Sequence, residues 1–391
     1  MPVYLDHAAS SVLRHEVRDE YLAHLEVVGN PSSIHGYGQS ARQLVEEARE
    51  QIAKAVDCNR SEVILTSGGT ESDNLAVKGI FWQRNGDVAA RKVIISAATE
   101  HHAVIDPLEW LEKAQGAEII WLPISPEGLV DLDALARILD ERASEVALIT
   151  LMWANNETGV ITDIHEVTAL ADKYGIPVHS DAVAAFGHLP ISFATSGLAA
   201  MTITGHKIGA PIGVGALIVS RNTKLVEVAH GGGQERGLRS GTLSPALAKS
   251  FALAAELCVA EAEAMAAKHA MFAVEILKSL SAIEGIEVTL SRGGAAGLPN
   301  ILHFSFAGCS GDSLLFLLDS AGVSVSTGSA CRAGVAEPSH VLLAMGRTEA
   351  EASGCLRVSF GHSTTEAEVQ AFIDALPAAY ASAKKAGLSA K

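Results

Sequence analysis

Short apolar runs alternate with stretches of helical periodicity between residues 60 and 220. The runs are rich in Val, Ile and Leu without a polar alternation, which is typical of strands buried on both faces. Seven of them predict strands, at residues 62–66, 92–96, 118–122, 146–152, 176–181, 201–205 and 215–220. Helical periodicity predicts helices between them, at residues 70–84, 102–115, 131–141 and 163–174. This order predicts a mostly parallel seven-stranded sheet with helices on both faces.

The pattern changes in the last third of the chain. One helical stretch over residues 244–282, opened by "SPAL", predicts a long connecting helix. Beyond it, the strand patterns "IEVTL", "NILHFSF", "VSVST" and "LRVSFG" are mixed with the helix pattern "GDSLLFLLDSAG" and a closing helix. We therefore expect an α/β protein of two domains. The large domain would be residues 15–260, and a smaller α+β domain would combine residues 1–14 with 261–391.

Composition excludes several classes of protein. The formal net charge of −16 over 391 residues, without a Lys/Arg-rich stretch, argues against a partner such as nucleic acid. No apolar run approaches the about 18 residues of a membrane span, and the N-terminus lacks the pattern of a signal peptide. The five cysteines, at 58, 258, 309, 331 and 355, form no CxxC pair. We expect a cytoplasmic protein without membrane contact, disulfide framework or bound metal.

Candidate chemistry follows the strands, because ligands of parallel sheets bind at the carboxyl ends of the strands. Gly69 and Thr70, in "TSGGTESDN", begin a helix whose free amides can bind an anion. Asp181 ends the strand "VHSD", where a buried carboxylate is costly unless it meets a cation or donors. Lys207 follows another strand, and a lysine in an apolar pocket can form a Schiff base. Asp181 and Lys207 could instead form only an ion pair.

One cofactor would use all of these residues together. Pyridoxal phosphate needs a lysine for its aldehyde and a carboxylate for its pyridinium nitrogen. It also needs a phosphate-binding cup and a flat group against its ring. The sequence offers a candidate for each need: Lys207, Asp181, the Gly69–Thr70 helix start with Thr204 and His206, and His101. The strand ends therefore predict a site for pyridoxal phosphate.

The sequence resembles the cysteine desulfurases, which are fold-type I pyridoxal-phosphate enzymes of the class V aminotransferase group. The resemblance runs nearly end to end, through "YLDHAAS", "GNPSSIH", "SGGTESDNLAVKG", "TEHHAV", "NNETGV", "HSDA", "TGHKIGAPIGVGAL", "HGGGQERGLRSGT", "LPNILHFSF", "STGSAC" and "LRVSFG". It implies conversion of L-cysteine to L-alanine, with transfer of the sulfur to an enzyme cysteine as a persulfide. The "STGSAC" loop with "EPSHVL" after it resembles the branch that serves iron–sulfur cluster assembly, although other thiolation pathways stay open.

The resemblance implies three catalytic residues. Lys207 would carry the cofactor and move protons, and His101 would stack on the ring and assist proton transfer. Cys331, among small residues in "STGSACRAG", would attack the substrate sulfur and keep it as a persulfide. A thiolate is the nucleophile in such a step, and the adjacent Arg332 could favour it.

The resemblance also implies a set of binding residues. The cofactor would be bound by Gly69, Thr70, Asn156, Asp181, Thr204, His206 and, from the other subunit of a homodimer, Thr242. Asn30 and Arg357 would bind the substrate, since the guanidinium fork suits a carboxylate. The implied partners are L-cysteine, a second copy of the chain and a sulfur-acceptor protein.

The sequence departs from the resemblance at Ala184, at Thr204, where Ser is usual, and in "CRAG". Ala184 stands in "DAVAAF" where the family usually has a Gln beside the phenolic oxygen of the cofactor. This change keeps open a sulfur-delivery scaffold with little turnover of its own. A selenocysteine lyase, which would share the cofactor residues, is a further alternative. Alanine release without a partner, and turnover of cysteine against selenocysteine, would distinguish these functions.

Overall fold

A computed structural model describes residues 2–281, 283–289, 296–328 and 338–389 of the protein. In chain order, the elements up to the last strand of the central sheet are β1 (Val3–Tyr4), α1 (His15–Leu25), α2 (Gly36–Ala55), β2 (Val63–Thr66), α3 (Gly69–Asp87), β3 (Val93–Ala97), α4 (His102–Gln115), β4 (Glu118–Leu122), α5 (Leu132–Arg142), β5 (Val146–Thr150), α6 (Ile164–Asp172), β6 (Val178–Asp181), α7 (Phe193–Ser196), β7 (Ala200–Thr204) and β8 (Gly215–Val219). The later elements are α8 (Pro245–Leu280), β9 (Ile286–Val288), β10 (Ile301–Phe306), α9 (Gly311–Ser320), β11 (Val323–Ser324), α10 (His340–Ala344), α11 (Glu349–Ser353), β12 (Cys355–Ser359) and α12 (Glu366–Ser389).

The central sheet has seven strands in the order β2-β8-β7-β6-β5-β3-β4. The four neighbouring pairs from β4 to β7 are parallel, which confirms the predicted mostly parallel seven-stranded sheet. β8 runs antiparallel to both β7 and β2. The reason is the short link between β7 and β8, residues 205–214, because a parallel crossover needs about a dozen residues or more. This short link carries Lys207.

Helices cover both faces of the central sheet. Successive side chains of a strand point to opposite faces, so Ile94 and Ile95 enter two different cores. Ile95 shares its core with Phe251 of α8, while Ile94 shares the other with Ile80 of α3. Both faces are therefore apolar, which explains the unbroken Val/Ile/Leu runs.

A smaller sheet contains the last strands of the chain, in the antiparallel order β12-β10-β9. β1 pairs in parallel with β11 beside it, so the N-terminal segment packs with the C-terminal part. The long helix α8 connects the two cores: Cys258 is buried in the core of the central sheet, and Phe272 is buried with Phe304 in the core of the smaller one. Among the described residues, no helix combines the length and apolarity that crossing a membrane requires.

Candidate active site

A cavity of about 410 Å³ lies at the carboxyl ends of the central strands, where they meet the smaller sheet. Asp181 and Ala184 reach it from the end of β6 and the loop that follows, Lys207 from the loop after β7, and Arg357 from β12. Nine of the predicted site residues line this cavity: Gly69, Thr70, His101, Asn156, Asp181, Thr204, His206, Lys207 and Arg357.

Lys207 lies in a loop that only small residues allow. Gly209 has φ of 86°, and a Cβ at Gly205 would lie 3.0 Å from Ala210 Cβ. The amino group donates to the carbonyl oxygens of Ala8 and, at 2.9 Å, of Ala9. Burial lowers the pKa of Lys207 to about 8, and the positive charge of Arg357 contributes to the shift. A fraction of the amino group is therefore uncharged near neutral pH, which is the form that attacks a carbonyl.

Asp181 is a buried carboxylate at the end of β6, with 5% of its surface exposed. Its Oδ1 accepts a hydrogen bond of 2.8 Å from the amide of Val183. Asp181 and Lys207 form no ion pair in the structure, which argues against the alternative that these two residues form only an ion pair. Burial raises the pKa of Asp181 to about 6, and the Val183 amide and the positive charge of Lys207 offset this effect only in part.

A second carboxyl group lies close to Asp181. Asp73, one turn into α3, is 1% exposed, and neither of its carboxylate oxygens has a hydrogen-bond partner within the described part of the chain. Burial raises the pKa of Asp73 well above its usual range, and the charge of Asp181 adds to this shift. Two buried carboxyl groups at one end of the cavity favour a cationic ligand there.

A candidate anion-binding site lies where α3 begins. Gly68 caps the helix with φ of 151°, and the first amides of α3 have no acceptor within the helix. A Cβ at Gly69 would lie 3.1 Å from Val183 Cγ2, so glycine keeps this end of the cavity open. Thr204 and His206 line the same cavity. Burial lowers the pKa of His206 to about 4, so its imidazole is neutral at physiological pH.

His101 caps the start of α4, and this contact fixes its tautomer. Its Nδ1 accepts a hydrogen bond of 3.1 Å from the amide of Ala103. Burial, followed by the positive charge of Lys207, lowers the pKa of His101 to about 4. The ring is therefore neutral and carries its proton on Nε2.

Arg357 is a fixed cation on β12, with 3% of its surface exposed. Its Nη2 forms an ion pair of 2.7 Å with Asp6 Oδ1, and its Nη1 donates to the carbonyl oxygen of Asn156 at 2.8 Å. The buried Nε has no partner among the described residues. The guanidinium is thus held in place from two sides and keeps donor capacity for a carboxylate.

Two predicted residues are not brought to the cavity of this chain. Asn30 and Thr242 are exposed and lie outside the lining; Asn30 Oδ1 accepts from the amide of Ser32 at 2.9 Å. Cys331, and Arg332 beside it, lie outside the described residues. The described chain before Cys331 does reach the site, because Ser326 and Gly328 line the cavity.

The four other cysteines are poor nucleophiles. Burial raises the pKa of Cys58, Cys258 and Cys355 to about 12 and that of Cys309 to about 11. None of these four lines the 410 Å³ cavity. Within the described ranges, no group of His, Cys, Asp or Glu side chains could hold a metal ion.

Sequence reasoning missed several residues of the lining: His7, Asp73, His188 and Asn300. The sequence did contain a signal for Asp73, because Asp73 follows Gly69 by four residues on the same helix and therefore lies on the same helix face. His188 and Asn300 had none, because they meet only in the folded protein, with Asn300 Nδ2 at 3.2 Å from His188 Nε2.

Comparison with known proteins identifies the family of the chain. Residues 3–372 match the family model described as aminotransferase class-V. The chain is 46% identical over 99% of its length to an "IscS-like cysteine desulfurase" of Mycobacterium tuberculosis, covering 98% of that protein. It is 41% identical over 96% of its length to "Cysteine desulfurase IscS" of Dictyoglomus turgidum, covering 93% of it. A solved "NifS-like protein" superposes with a TM-score of 0.87 at 32% identity, covering 96% of this chain and 98% of that one. The chain therefore belongs to the class-V aminotransferase family and, within it, to the cysteine desulfurases.

Proposed function

We propose that the protein is an L-cysteine desulfurase that binds pyridoxal phosphate in the 410 Å³ cavity and transfers sulfur to Cys331. The observation that carries this proposal is one cavity that joins three features: a lysine with a lowered pKa, a buried carboxylate with a raised pKa and no ion pair, and the start of a long helix. Membership of the cysteine desulfurases supports the substrate and the reaction.

The residues of the cavity fit the cofactor. A pyridinium nitrogen would supply a direct cationic partner for the buried Asp181 carboxylate. The phosphate would accept hydrogen bonds from the first amides of α3, with room kept by Gly69 and further donors from Thr204 and His206. The neutral ring of His101 would lie against the cofactor, and Lys207 would form the covalent link.

Pyridoxal phosphate, when bound, supplies an electron sink for the amino acid attached to it. Side chains of this chain bind the substrate and transfer its proton. Arg357, fixed by Asp6 and Asn156, binds the carboxylate of cysteine and so orients its Cα proton. Lys207 Nζ takes that proton in its neutral form and returns it later, which a pKa of about 8 allows in both directions near neutral pH.

Cys331 is the sulfur acceptor in this proposal. It follows Gly328, which lines the cavity, by three residues, and three residues span at most about 11 Å. Its thiolate forms an S–S bond with the substrate sulfur while the substrate C–S bond breaks, and the bonding pair stays with carbon. Cβ then gains a proton, so L-cysteine and the enzyme thiol give L-alanine and the enzyme persulfide. The raised pKa values of the other four cysteines favour this assignment.

We further propose a cytoplasmic homodimer. The exposed Thr242 is then available to the phosphate site of the second copy, and the exposed Asn30 is available to bind substrate. The persulfide would pass to an acceptor protein, of an iron–sulfur cluster pathway or of another thiolation pathway.

Two variants test the proposal. Borohydride reduction of the holoenzyme is expected to fix the cofactor on Lys207, and Lys207→Ala is expected to abolish both this link and alanine production. Cys331→Ala is expected to bind cysteine and change the cofactor spectrum without forming a persulfide. Cys309→Ala is the matched control and should form persulfide normally. Cofactor found on another lysine, or persulfide in the Cys331 variant, would contradict the assignment.

A sulfur-delivery scaffold of low turnover is the second candidate, and Ala184 favours it. Ala184 lines the cavity, and its methyl group donates no hydrogen bond. Alanine release by the protein alone decides between the two: steady turnover supports the desulfurase, and turnover only with an acceptor protein supports the scaffold. Parallel assays with selenocysteine test the lyase alternative.

A further inference from the structure

A second cavity, of about 20 Å³, adjoins the large one at Lys207. Lys207 and His188 line both cavities. The other polar side chains around the small cavity are Ser11, Arg14, His269 and His362. A cavity holds a water molecule once about 10–15 Å³ is accessible, so this one has room for a single water.

His269 gives the small cavity an unsatisfied acceptor. The side chain is 1% exposed, and its Nε2 lies 3.2 Å from the carbonyl oxygen of Gly361. A carbonyl oxygen only accepts, so the ring proton lies on Nε2. Burial lowers the pKa of His269 to about 4, and the neutral ring therefore has a lone pair on Nδ1. This buried Nδ1 has no hydrogen-bond partner in the described ranges, which is costly unless a donor lies in the cavity.

No donor of the described residues lies within hydrogen-bonding distance of His269 Nδ1, and several neighbouring groups are engaged elsewhere. Arg14 uses its Nε on the carbonyl oxygen of Ile208, and its Nη1 on Glu261 Oε2 at 2.8 Å. Cys258 Sγ donates to the carbonyl oxygen of Ala255 at 3.2 Å. His188 Nε2 accepts from Asn300 Nδ2 on the side of the large cavity. A water molecule is the donor that fits the volume.

His362 connects the small cavity with solvent. Its side chain is half-buried, so one part of it lines the cavity while another is exposed. Burial, followed by the charge of Arg14, lowers the pKa of His362 to about 4. The neutral ring has one proton and one lone pair, and it can therefore accept a proton on one nitrogen and release one from the other.

We propose that the small cavity binds one ordered water, which donates to His269 Nδ1 and passes protons between Lys207 and solvent through His362. The role of Lys207 in this path rests on the proposed desulfurase activity; the water site does not. The Lys207 ammonium gives one proton to the water oxygen, while the water gives one of its own to the free ring nitrogen of His362. The imidazolium then releases its other N-bound proton to solvent. The net change is one proton from Lys207 to solvent, and the reverse sequence returns one.

The path controls what becomes of a proton taken from substrate. With L-cysteine deuterated at Cα, fast exchange at Lys207 replaces the label with hydrogen from water before the product forms. A blocked path keeps the label on Lys207, and more of it is returned to the product. The fraction of deuterium in alanine therefore reports the exchange independently of the rate of turnover.

Three variants test the path by this fraction. His269→Phe removes the nitrogen that accepts the hydrogen bond of the water. His362→Phe removes the group that releases protons to solvent, and its half-buried position tolerates substitution more easily. Both are expected to raise deuterium retention severalfold above that of the native enzyme. His269→Asn keeps an acceptor oxygen near Nδ1 and is expected to retain as little as the native enzyme. Phe272→Leu, which alters an aromatic neighbour of His269 at 6.4 Å between ring centroids, controls for packing.

A crystal structure of the holoenzyme with ordered solvent tests the site itself. A water within hydrogen-bonding distance of His269 Nδ1 is expected. No water at that position overturns the site, and native-like retention in both Phe variants, with alanine still formed, overturns the path. Failure of the native enzyme to release alanine would contradict the proposed function instead, and the crystal structure would then still decide the water site.

Discussion

The charge of Arg357 should set how much of Lys207 is reactive at neutral pH. Burial and Arg357 together lower the pKa of Lys207 from 10.5 to about 8. At 1.36 kcal/mol per unit, this shift corresponds to about 3 kcal/mol against the charged form. About a tenth of Lys207 is then uncharged at pH 7, against fewer than about one in a thousand for an unperturbed lysine. Arg357→Gln removes a positive charge and also leaves the carboxylate of Asp6 unpaired, and both changes favour the ammonium.

The expected result is a higher pKa of Lys207 that stays below 10.5, because burial, the larger cause, remains. Each unit regained lowers the uncharged fraction at pH 7 about tenfold. The pKa follows from the rate at which an acylating reagent labels Lys207 in the cofactor-free enzyme across pH 6–11, read from the labelled peptide by mass spectrometry. Arg142→Gln, which removes an arginine paired at the surface with Glu118 and Glu145, is the control. Labelling midpoints that coincide in the native enzyme and Arg357→Gln would refute the electrostatic coupling.

Three further predictions concern the elements around the site. Gly69→Ala should weaken cofactor binding in an equilibrium titration, because its Cβ would lie 3.1 Å from Val183 Cγ2. A Cβ at Gly86, on the same helix, would have no neighbour within 4 Å, so Gly86→Ala should bind the cofactor normally. Equal affinities of the two variants would contradict the phosphate-cup assignment. Glu235→Ala removes two contacts of 2.7 Å to Arg49 and leaves the Arg49 charge buried, so it should cost about 3–5 kcal/mol in urea unfolding. Glu118→Ala, at a partly exposed ion pair, should cost about 1 kcal/mol or less, and similar losses in the two variants would argue against this effect of burial. The folded protein raises the pKa of Asp73, so the native apoprotein loses stability as pH rises from about 4, the unfolded-state pKa, up to the folded-state pKa. Asp73→Asn has no such proton to lose, so its stability relative to the native apoprotein should rise over that range. A stability difference that stays flat with pH in the same unfolding assay would count against a buried, protonated Asp73.

The strands of the central sheet, the helices between them and the chemical character of the strand ends could be derived from the sequence alone. Apolar periodicity is local, and the seven strand patterns between residues 62 and 220 correspond to β2 through β8. A strand that ends in Asp181, a glycine-flanked Lys207 and a glycine-rich helix start must meet at one edge once the sheet is parallel. Nine predicted residues consequently line one cavity.

Only the tertiary structure determined the contacts and the pKa values of these groups. Asp6 and Arg357 are 351 positions apart, and they pair because β1 joins the C-terminal strands; no local pattern encodes that contact. The direction of β8, the pKa of Lys207 and the pairing of His188 with Asn300 likewise depend on what other segments pack nearby. A residue type carries its chemistry in the sequence, but its burial and its neighbouring charges arise from contacts between distant segments. Those contacts give Lys207 a pKa of about 8 and Asp181 a pKa of about 6.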